Sequence, residues 1–313
     1  MKASHLLLVS TLVLLPQSVT YGAILFGKDN SANQTDPGVG LPWDTVGKIT
    51  NSTSSNVVGS AVYLGNGWVI TANHVDITNP LPNPNRFVSF DGISTFQIDL
   101  STVRQVAAGV DLKVMRLTTL PSLTGVTLLT TGIETTAPAY TVGWGVGRAV
   151  DGNGDPLQLP GTSLVTWGDN STAAKRWGTN RPSDIVNVGY EAIRTIAGGN
   201  DGAGTTYNPD GTGNDEAAIT VNDSGSALFQ LIGGTWYLIG IATAVEMNGQ
   251  TFFGNDTTGE TADGFGHDNY FVRVSTYDTQ IVTAVPEPGV AALLALSAPL
   301  FLLRRCRRTS RHS

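Results

Sequence analysis

Short apolar runs separated by polar turns make up most of the chain. Ten such runs, most of them five to seven residues long, are rich in Val, Thr, Ile and aromatic residues and are bounded by Gly, Pro or Asn. They read SAVYLG, WVITAN, RFVSFDG, TFQIDL, LKVMRL, VTLLT, AYTVGWG, SALFQLI, WYLIGIATAV and YFVRVST. No long helical period and no repeat at solenoid spacing interrupts them. The pattern predicts an all-β domain with long surface loops.

The first 23 residues have the pattern of a secretory signal peptide. Lys2 precedes the apolar run LLLVSTLVLLP, and the small residues of SVTYGA follow. Cleavage is expected near Gly22 or Ala23, so the folded domain is predicted over residues 24–284. A buried core helix is the alternative interpretation, and both the N-terminal position and the flanking residues argue against it.

The C-terminal segment, residues 285–313, has three parts in order. VPEP is followed by an apolar stretch from Gly289 to Leu303 and then by five arginines. The stretch is about 15 residues long, shorter than the roughly 20 residues of a full membrane span. The three parts resemble the PEP-CTERM sorting tail of Gram-negative bacteria. The resemblance implies transient contact with the membrane, an exosortase as partner, and export to the cell surface or extracellular matrix. An ordinary single-span anchor is the alternative.

Charge and cysteine content narrow the range of partners. Six of the 18 basic residues but only one of the 25 acidic residues lie in the two end segments. The predicted domain therefore carries 12 basic and 24 acidic side chains. An acidic exported domain does not suit a phosphate backbone, so nucleic acid is not an expected partner. The single cysteine, Cys306, lies in the tail, so the domain depends on packing rather than on a disulfide.

Histidine is the scarce residue among those that could perform acid–base chemistry. Only His74 and His267 lie inside the predicted domain, and His267, in GFGHDNY, fits a loop. His74 follows the apolar strand GWVITAN, Asp111 begins the strand of VDLKVMRL, and Ser224 lies in the tight turn of NDSGSALF. A nucleophilic serine needs a base, and the base needs an orienting carboxylate. These three residues are therefore the candidates, with Asp99 in FQIDL as a rival carboxylate.

The three segments, taken in order, resemble the trypsin-like serine proteases of the chymotrypsin fold. SAVYLGNGWVITANHV is similar to the histidine segment of that family, VDLKVMRL to its aspartate segment, and NDSGSALF to its Gly-Asp-Ser-Gly-Gly-Pro segment. LIGIATAV resembles the strand that lines the specificity pocket, and NYFVRVSTY the strand before the C-terminal helix. The resemblance covers about residues 40–282. It implies two packed antiparallel six-stranded β-barrels, with the catalytic residues in the cleft between them.

The resemblance also implies a role for each matching residue. His74 would be the general base, Asp111 its orienting carboxylate and Ser224 the nucleophile. The backbone N–H groups of Asn222 and Ser224 would form the oxyanion hole. Thr243 would contact Asp111 or the substrate backbone. No metal and no cofactor is expected, and the expected partner is a protein or peptide substrate.

A small primary pocket and a mode of activation follow from the same resemblance. Ala218 would lie at the pocket floor, where trypsins carry an aspartate, and Val245 on the wall, where glycine leaves room for large rings. A small apolar side chain is therefore the expected substrate residue, because a basic one would lose its water and meet no countercharge. Asp223 would pair with a new N-terminus, and cleavage after Ala23 would expose Ile24 for that contact.

Departures from the family pattern leave other functions open. Asn222 stands where glycine is usual, Ser226 and Ala227 replace Gly-Pro, and Val75 replaces the cysteine beside the histidine. The first hypothesis is a surface-sorted serine endopeptidase, and the second is a catalytically inactive binding or matrix protein on the same scaffold. The third is a calcium-stabilised carbohydrate-binding β-domain. DGNGDP looks like the start of a calcium loop but lacks the Gly and Glu that such a loop needs.

Overall fold

The computed structural model describes residues 23–25, 29–51, 56–77, 86–130, 134, 137–157, 164–197, 215–246, 249–253 and 267–285. The predicted signal peptide up to residue 22 and the predicted tail from residue 286 lie outside these stretches, as does the Gly/Asn/Asp-rich segment 198–214. Among the described residues, no helix is both long enough and apolar enough to cross a membrane.

The described chain is mostly β-strand. The strands are β1 Ile24–Leu25, β2 Val46–Asn51, β3 Val57–Gly65, β4 Trp68–Thr71, β5 Arg86–Ser89, β6 Phe96–Gln105, β7 Lys113–Leu117, β8 Thr127–Leu128, β9 Ala139–Gly143, β10 Leu164–Thr166, β11 Arg176–Asn180, β12 Pro182–Asn187, β13 Glu191–Ala197, β14 Ala217–Ala218, β15 Ala227–Ile232, β16 Thr235–Val245, β17 Gln250–Phe252 and β18 His267–Arg273. One α-helix, α1, spans Val274–Ala284, and two short 3-10 helices span Trp43–Thr45 and Asn170–Thr172.

The first unit is a closed barrel of six strands in the order β2-β3-β4-β7-β6-β5. Its central strands are buried on both faces. Val69 and Met115 belong to the cluster inside the barrel. Their neighbours Ile70 and Val114 belong to the cluster shared with the second unit. Because both faces are covered, these strands read as unbroken apolar runs rather than as alternating ones.

The second unit is an eight-stranded sheet. Seven strands follow the order β11-β9-β15-β16-β18-β13-β12, and β8 pairs in parallel with β16. The expected all-β, chymotrypsin-like fold is confirmed with one closed six-stranded barrel, but an eight-stranded sheet stands in place of the second expected six-stranded barrel. This unit also contains strands that the apolar runs did not indicate. The hairpin of β12 and β13 is the largest addition, and it turns at Gly189, whose φ of 98° suits a residue without Cβ.

The N-terminal strand β1 pairs with β14 in a two-stranded sheet that is separate from the eight-stranded one. Ala23, Ile24 and Leu25 are all buried. Ile24 lies opposite Ala218 in an antiparallel pair with β14. The buried guanidinium of Arg148 donates to the carbonyl oxygen of Leu25 at 2.5 Å. The start of the predicted domain therefore lies beside the segment that leads to Ser224.

Candidate active site

His74 and Asp111 meet because β4 and β7 are antiparallel neighbours. Thr71, the last residue of β4, lies opposite Lys113, the first residue of β7, so the residues after β4 and before β7 share one end of the barrel. The backbone N–H of His74 donates to Asp111 Oδ1 at 2.8 Å. The ring Nδ1 of His74 lies 2.6 Å from Asp111 Oδ2. Since a carboxylate only accepts, Nδ1 carries the proton and Nε2 is free to accept one.

Ser224 is presented by two consecutive tight turns. The N–H of Asp223 donates to the carbonyl of Thr220, and the N–H of Ser226 donates to that of Asp223. The third residue of each turn has a positive φ, 69° at Asn222 and 90° at Gly225. A positive φ at the third position is the signature of a type II turn, which Gly and Asn tolerate. The second turn places Ser224 Oγ 2.7 Å from His74 Nε2.

The serine turn is pressed directly against the first barrel. The N–H of Ser60 in β3 donates to the carbonyl of Ser224 at 2.7 Å. A Cβ on Gly225 would lie 2.0 Å from the Ser60 oxygen and 2.3 Å from Thr71 Oγ1. Glycine at position 225 therefore answers both a conformational and a steric need. Nucleophile and base come from different units, and this close approach sets their distance.

Two backbone donors beside Ser224 are unoccupied. Within the described part of the chain, the N–H groups of Asn222 and Ser224 donate to no other residue, whereas those of Asp223, Gly225 and Ser226 are all hydrogen-bonded. A pair of unoccupied donors next to a nucleophile is suited to stabilise an oxyanion. The positive φ of Asn222 shows that the residue in the usual glycine position adopts the left-handed conformation.

A fully buried carboxylate supports the serine turn from below. Asp223 accepts hydrogen bonds from Gly145 N–H at 2.7 Å, Thr220 N–H at 2.8 Å, Thr220 Oγ1 at 3.1 Å and Ser226 Oγ at 3.2 Å. Burial raises the pKa of Asp223, and these bonds act in the opposite direction. A Cβ on Gly145 would lie 2.3 Å from the carboxyl carbon, so TVGWGVG makes room for the acid.

The expected pairing of Ile24 with Asp223 is absent from this structure. Ile24 instead pairs with Ala218, and none of the donors to the Asp223 carboxylate among the described residues is residue 24. The carboxylate is instead bound by N–H and O–H groups of the domain itself. Ser226, which departs from the family pattern, supplies one of them. Because residues 1–23 precede Ile24 in this chain, pairing through a newly formed N-terminus stays a prediction.

The predicted substrate-binding residues lie on the Ser224 side of the cleft, with different exposures. Thr243 and Val245 are on β16, and Val245 is partly buried. Ala218 is fully buried in its pair with β1, and its place at a pocket floor stays a prediction. Asn269, which the sequence did not suggest, lies opposite Val245, and its side-chain oxygen accepts from the N–H of Ile219 at 2.9 Å.

Within the protein, Thr243 binds a tyrosine and not Asp111, one of its two expected contacts; the other, with the substrate backbone, stays a prediction. Its hydroxyl accepts from Tyr190 Oη at 2.9 Å and donates to the carbonyl of Tyr270 at 3.3 Å, and it makes no hydrogen bond to Asp111. Burial raises the pKa of Tyr190, and the charge of Asp111 raises it further. Tyr190 lies between β12 and β13, so only the hairpin brings it to the site.

The remaining sequence candidates lie away from this cluster. The rival carboxylate Asp99 accepts from Ser101 N–H at 3.0 Å and from Ser101 Oγ at 2.6 Å within β6. His267 is not a loop residue: it begins β18, pairs with Ala197 and is fully buried. The DGNGDP turn is closed by Asp151, which accepts from two backbone N–H groups of the turn itself. Among the described residues there is no group of three or more His, Cys, Asp or Glu that could hold a metal ion.

No protein-family model matches the chain, and no curated protein matches its sequence. Among solved structures, it is similar to the inactive form of the Rv3671c protease, with a TM-score of 0.44 and 14% identity over 85% of this chain and 98% of that one. A mutant of Rv3671c from M. tuberculosis H37Rv has a TM-score of 0.45 and 13% identity, over 80% of this chain and 91% of that one. The HtrA-type protease AlgW with a decapeptide has a TM-score of 0.41 and 18% identity over 73% of this chain. The match spans about half (52%) of the AlgW chain. At these identities the likenesses concern the fold alone.

Proposed function

We propose that the chain is a serine endopeptidase that hydrolyses peptide bonds through an acyl-enzyme on Ser224. One observation carries the proposal: an unbroken hydrogen-bond chain from Asp111 through His74 to Ser224, ending beside two unoccupied N–H donors. The His74 side chain is 48% exposed and that of Asp111 18%, so the base is open to a substrate while its carboxylate is sheltered.

Each group has a chemical task in this mechanism. His74 Nε2 takes the Ser224 proton as the oxygen attacks the substrate carbonyl carbon, and Asp111 stabilises the resulting imidazolium. The N–H groups of Asn222 and Ser224 hold the negative oxygen of the tetrahedral intermediate. His74 then gives its proton to the leaving amine, which leaves an ester on Ser224. A water molecule, deprotonated by the same imidazole, cleaves that ester and restores the hydroxyl.

The edge of β16 offers a place for the substrate backbone. At Thr243–Val245 this strand pairs with β18 on one side, and no described strand pairs with the other. An extended peptide could add there as a further strand, with its scissile bond toward Ser224. We propose a small apolar residue, such as Ala or Val, before the scissile bond, because a valine at position 245 would narrow this part of the cleft where glycine would leave room.

A fluorophosphonate probe tests the proposal directly. Such a probe forms a covalent bond with an activated serine, so the full chain is expected to be labelled and the Ser224→Ala variant is not. Failure of the folded wild-type chain to react would favour the alternative, a catalytically inactive binding or matrix protein. Insensitivity of both fold and activity to a calcium chelator is expected, because the proposed chemistry uses no metal.

We propose in addition that the enzyme is exported and sorted to the cell surface. The N-terminal apolar run and the C-terminal VPEP, apolar and arginine-rich parts support this. Intact-mass analysis of surface or extracellular protein tests it: the expected species lacks the signal peptide and the residues after about 288. An extracellular species that retains Arg304–Arg311 would contradict processing of the tail.

A further inference from the structure

A buried lysine binds the segment that carries His74, the proposed base. Lys113 begins β7, two residues after Asp111, and is only 5% exposed. Its ammonium donates to the carbonyl oxygen of Asn73 at 3.0 Å and to that of Val75. These two carbonyls belong to the residues immediately before and after His74. One side chain therefore binds the carbonyl of the residue before the proposed base and the carbonyl of the residue after it.

The same ammonium lies in the field of two carboxylates. Burial lowers the pKa of Lys113, and the charges of Asp76 and Asp111 act in the opposite direction. A buried ammonium is costly unless it is paired, and an apolar side chain of similar length would fill the space without that cost. The strand pattern would also favour an apolar residue here. We therefore expect the amine to have a role beyond filling space in the core.

Other contacts also hold the segment that carries His74, and the strongest of them is the bond from the His74 N–H to Asp111 Oδ1 at 2.8 Å. The Val75 side chain packs against Gly59, where an added Cβ would lie 2.8 Å from both of its methyl carbons. The N–H of Val75 donates to Ala72 at 3.3 Å, a long bond within the turn itself. Together with the bond from the His74 N–H to Asp111, the two bonds from Lys113 tie this segment to the start of β7.

We propose that Lys113 is a positioning residue of the catalytic centre, which holds the turn of His74 by the carbonyls of Asn73 and Val75 and so fixes the imidazole relative to Asp111 and Ser224. This inference rests on the proposed function. It assigns no contact with the substrate to Lys113. The amine acts through His74 and Asp111, so its removal affects the rate of the chemical step more than substrate binding.

The test compares two lysine-to-methionine variants of the full chain. Lys113→Met keeps the length of the side chain but removes its charge and hydrogen bonds. It is expected to lower kcat/KM about a hundredfold, mainly through kcat, because small displacements of a catalytic group have effects of that size. The control is Lys48→Met, which removes another partly buried ammonium from the same barrel, one that lies over the Trp144 ring at 5.1 Å. The control is expected to stay within about twofold of the wild type, since no contact links Lys48 to His74.

Restoration of the amine separates positioning from simple packing. Lys113→Cys is made in a Cys306→Ser background, where it is the sole cysteine. After alkylation in denaturant and refolding, bromoethylamine gives an amine of nearly lysine length, and 1-iodopropane gives an apolar chain of the same shape without a hydrogen-bond donor. Recovery of at least tenfold in kcat with the amine alone supports the proposal. Equal recovery with both reagents would overturn it, because length and not charge would then be sufficient.

A spectroscopic measurement distinguishes failure of this inference from failure of the proposed function. The Nδ1 proton of His74 gives a downfield imidazole resonance when it is bound by Asp111, and His74→Ala identifies that signal by its loss. The signal is expected in the wild type and in Lys48→Met, and to be lost or shifted upfield in Lys113→Met. If the wild type ignores the fluorophosphonate probe but Lys113→Met alters the resonance, the proposed function is wrong and the positioning role stands. A folded Lys113→Met variant with an unchanged resonance and kcat within about twofold overturns the inference.

Discussion

The regions around His74 and His267 contain the same side chain in opposite environments. His74 is 48% exposed, and both of its ring nitrogens have partners, a carboxylate on one side and a hydroxyl on the other. His267 is fully buried, and within the described part of the chain neither of its ring nitrogens has a hydrogen-bond partner. Its ring lies 6.2 Å from that of Trp167.

This difference shows what turns an imidazole into a base. A base must be reachable, must have an acceptor nitrogen aimed at a proton, and must be stabilised when it becomes positive. His74 meets all three conditions. Burial lowers the pKa of His267 to about 4, so that ring stays neutral near pH 7, and no described residue forms a hydrogen bond with it. Residue type is therefore a poor guide to role without the partners.

The largest expected effect separates the two histidines by activity. His74→Ala should reduce kcat/KM by about 10⁴-fold or more, as removal of a triad member does, while an exposed side chain contributes little to folding. His267→Leu should stay within a few-fold at pH 7, since it touches none of the reacting groups. Steady-state kinetics and thermal unfolding of both variants measure this. A folded His74→Ala variant with wild-type kinetics would show that His74 is not the base.

The second effect concerns the pH dependence of folding stability, to which the buried His267 is expected to contribute. The pKa of His267 falls from 6.5 to about 4 on folding, so the unfolded chain binds more protons between these pH values. This contribution to stability is complete above about pH 6.5 and is lost as the pH falls toward 4, by about 3 kcal/mol. Urea unfolding at several pH values should show a shallower acid loss in His267→Leu than in the wild type.

Asp223 contributes to the same pH dependence of stability with the opposite sign. Its pKa is raised by burial, so the unfolded chain releases its proton first and stability falls as the pH rises from 3.8 toward the folded pKa. The two trends have opposite signs in an overlapping range. The difference between His267→Leu and wild type isolates the histidine, and an identical slope in both proteins would contradict the burial of His267.

A smaller effect concerns which substrate residue is accepted before the scissile bond. Val245→Gly removes a partly buried side chain from β16 at the proposed cleft. Larger apolar residues before the scissile bond should then be accepted with a gain of about 1–3 kcal/mol relative to Ala. Cleavage of a peptide library, read by mass spectrometry, measures this ratio. Dominant wild-type cleavage after Arg, Lys or Phe would show that the pocket assignment is wrong.

The smallest effect concerns the turn that brings Ser224 to His74. Asn222 has a φ of 69°, which glycine adopts without strain, so Asn222→Gly should change kcat/KM and stability by less than about 1 kcal/mol. Asn222→Val should lower both, because a β-branched residue resists this conformation. Comparison of the two variants in kinetics and unfolding measures the value of the left-handed conformation. Equal behaviour of the two would mean that the turn does not depend on it.

Local sequence patterns predicted the central strands well because burial leaves a local signature. β4 and β7 were readable from their apolar runs, and the strand pairing then brings His74 and Asp111 together. The hairpin of β12 and β13 was missed, because its outer strand is an exposed edge with polar residues and carries no strong apolar period. That omission also hid Tyr190, and with it the partner of Thr243.

The sequence alone determined the all-β class, the order of the His, Asp and Ser segments, and the need for residues that tolerate positive φ around Ser224. These depend on periodicity and backbone conformation, which are local properties. Only the tertiary structure decided that Lys113 binds the carbonyls beside His74, that Tyr190 rather than Asp111 binds Thr243, and that His267 is buried with no hydrogen-bond partner among the residues that the structure describes. A side chain's partner depends on residues distant in the chain that packing brings within 3 Å or so, and no local pattern encodes that choice.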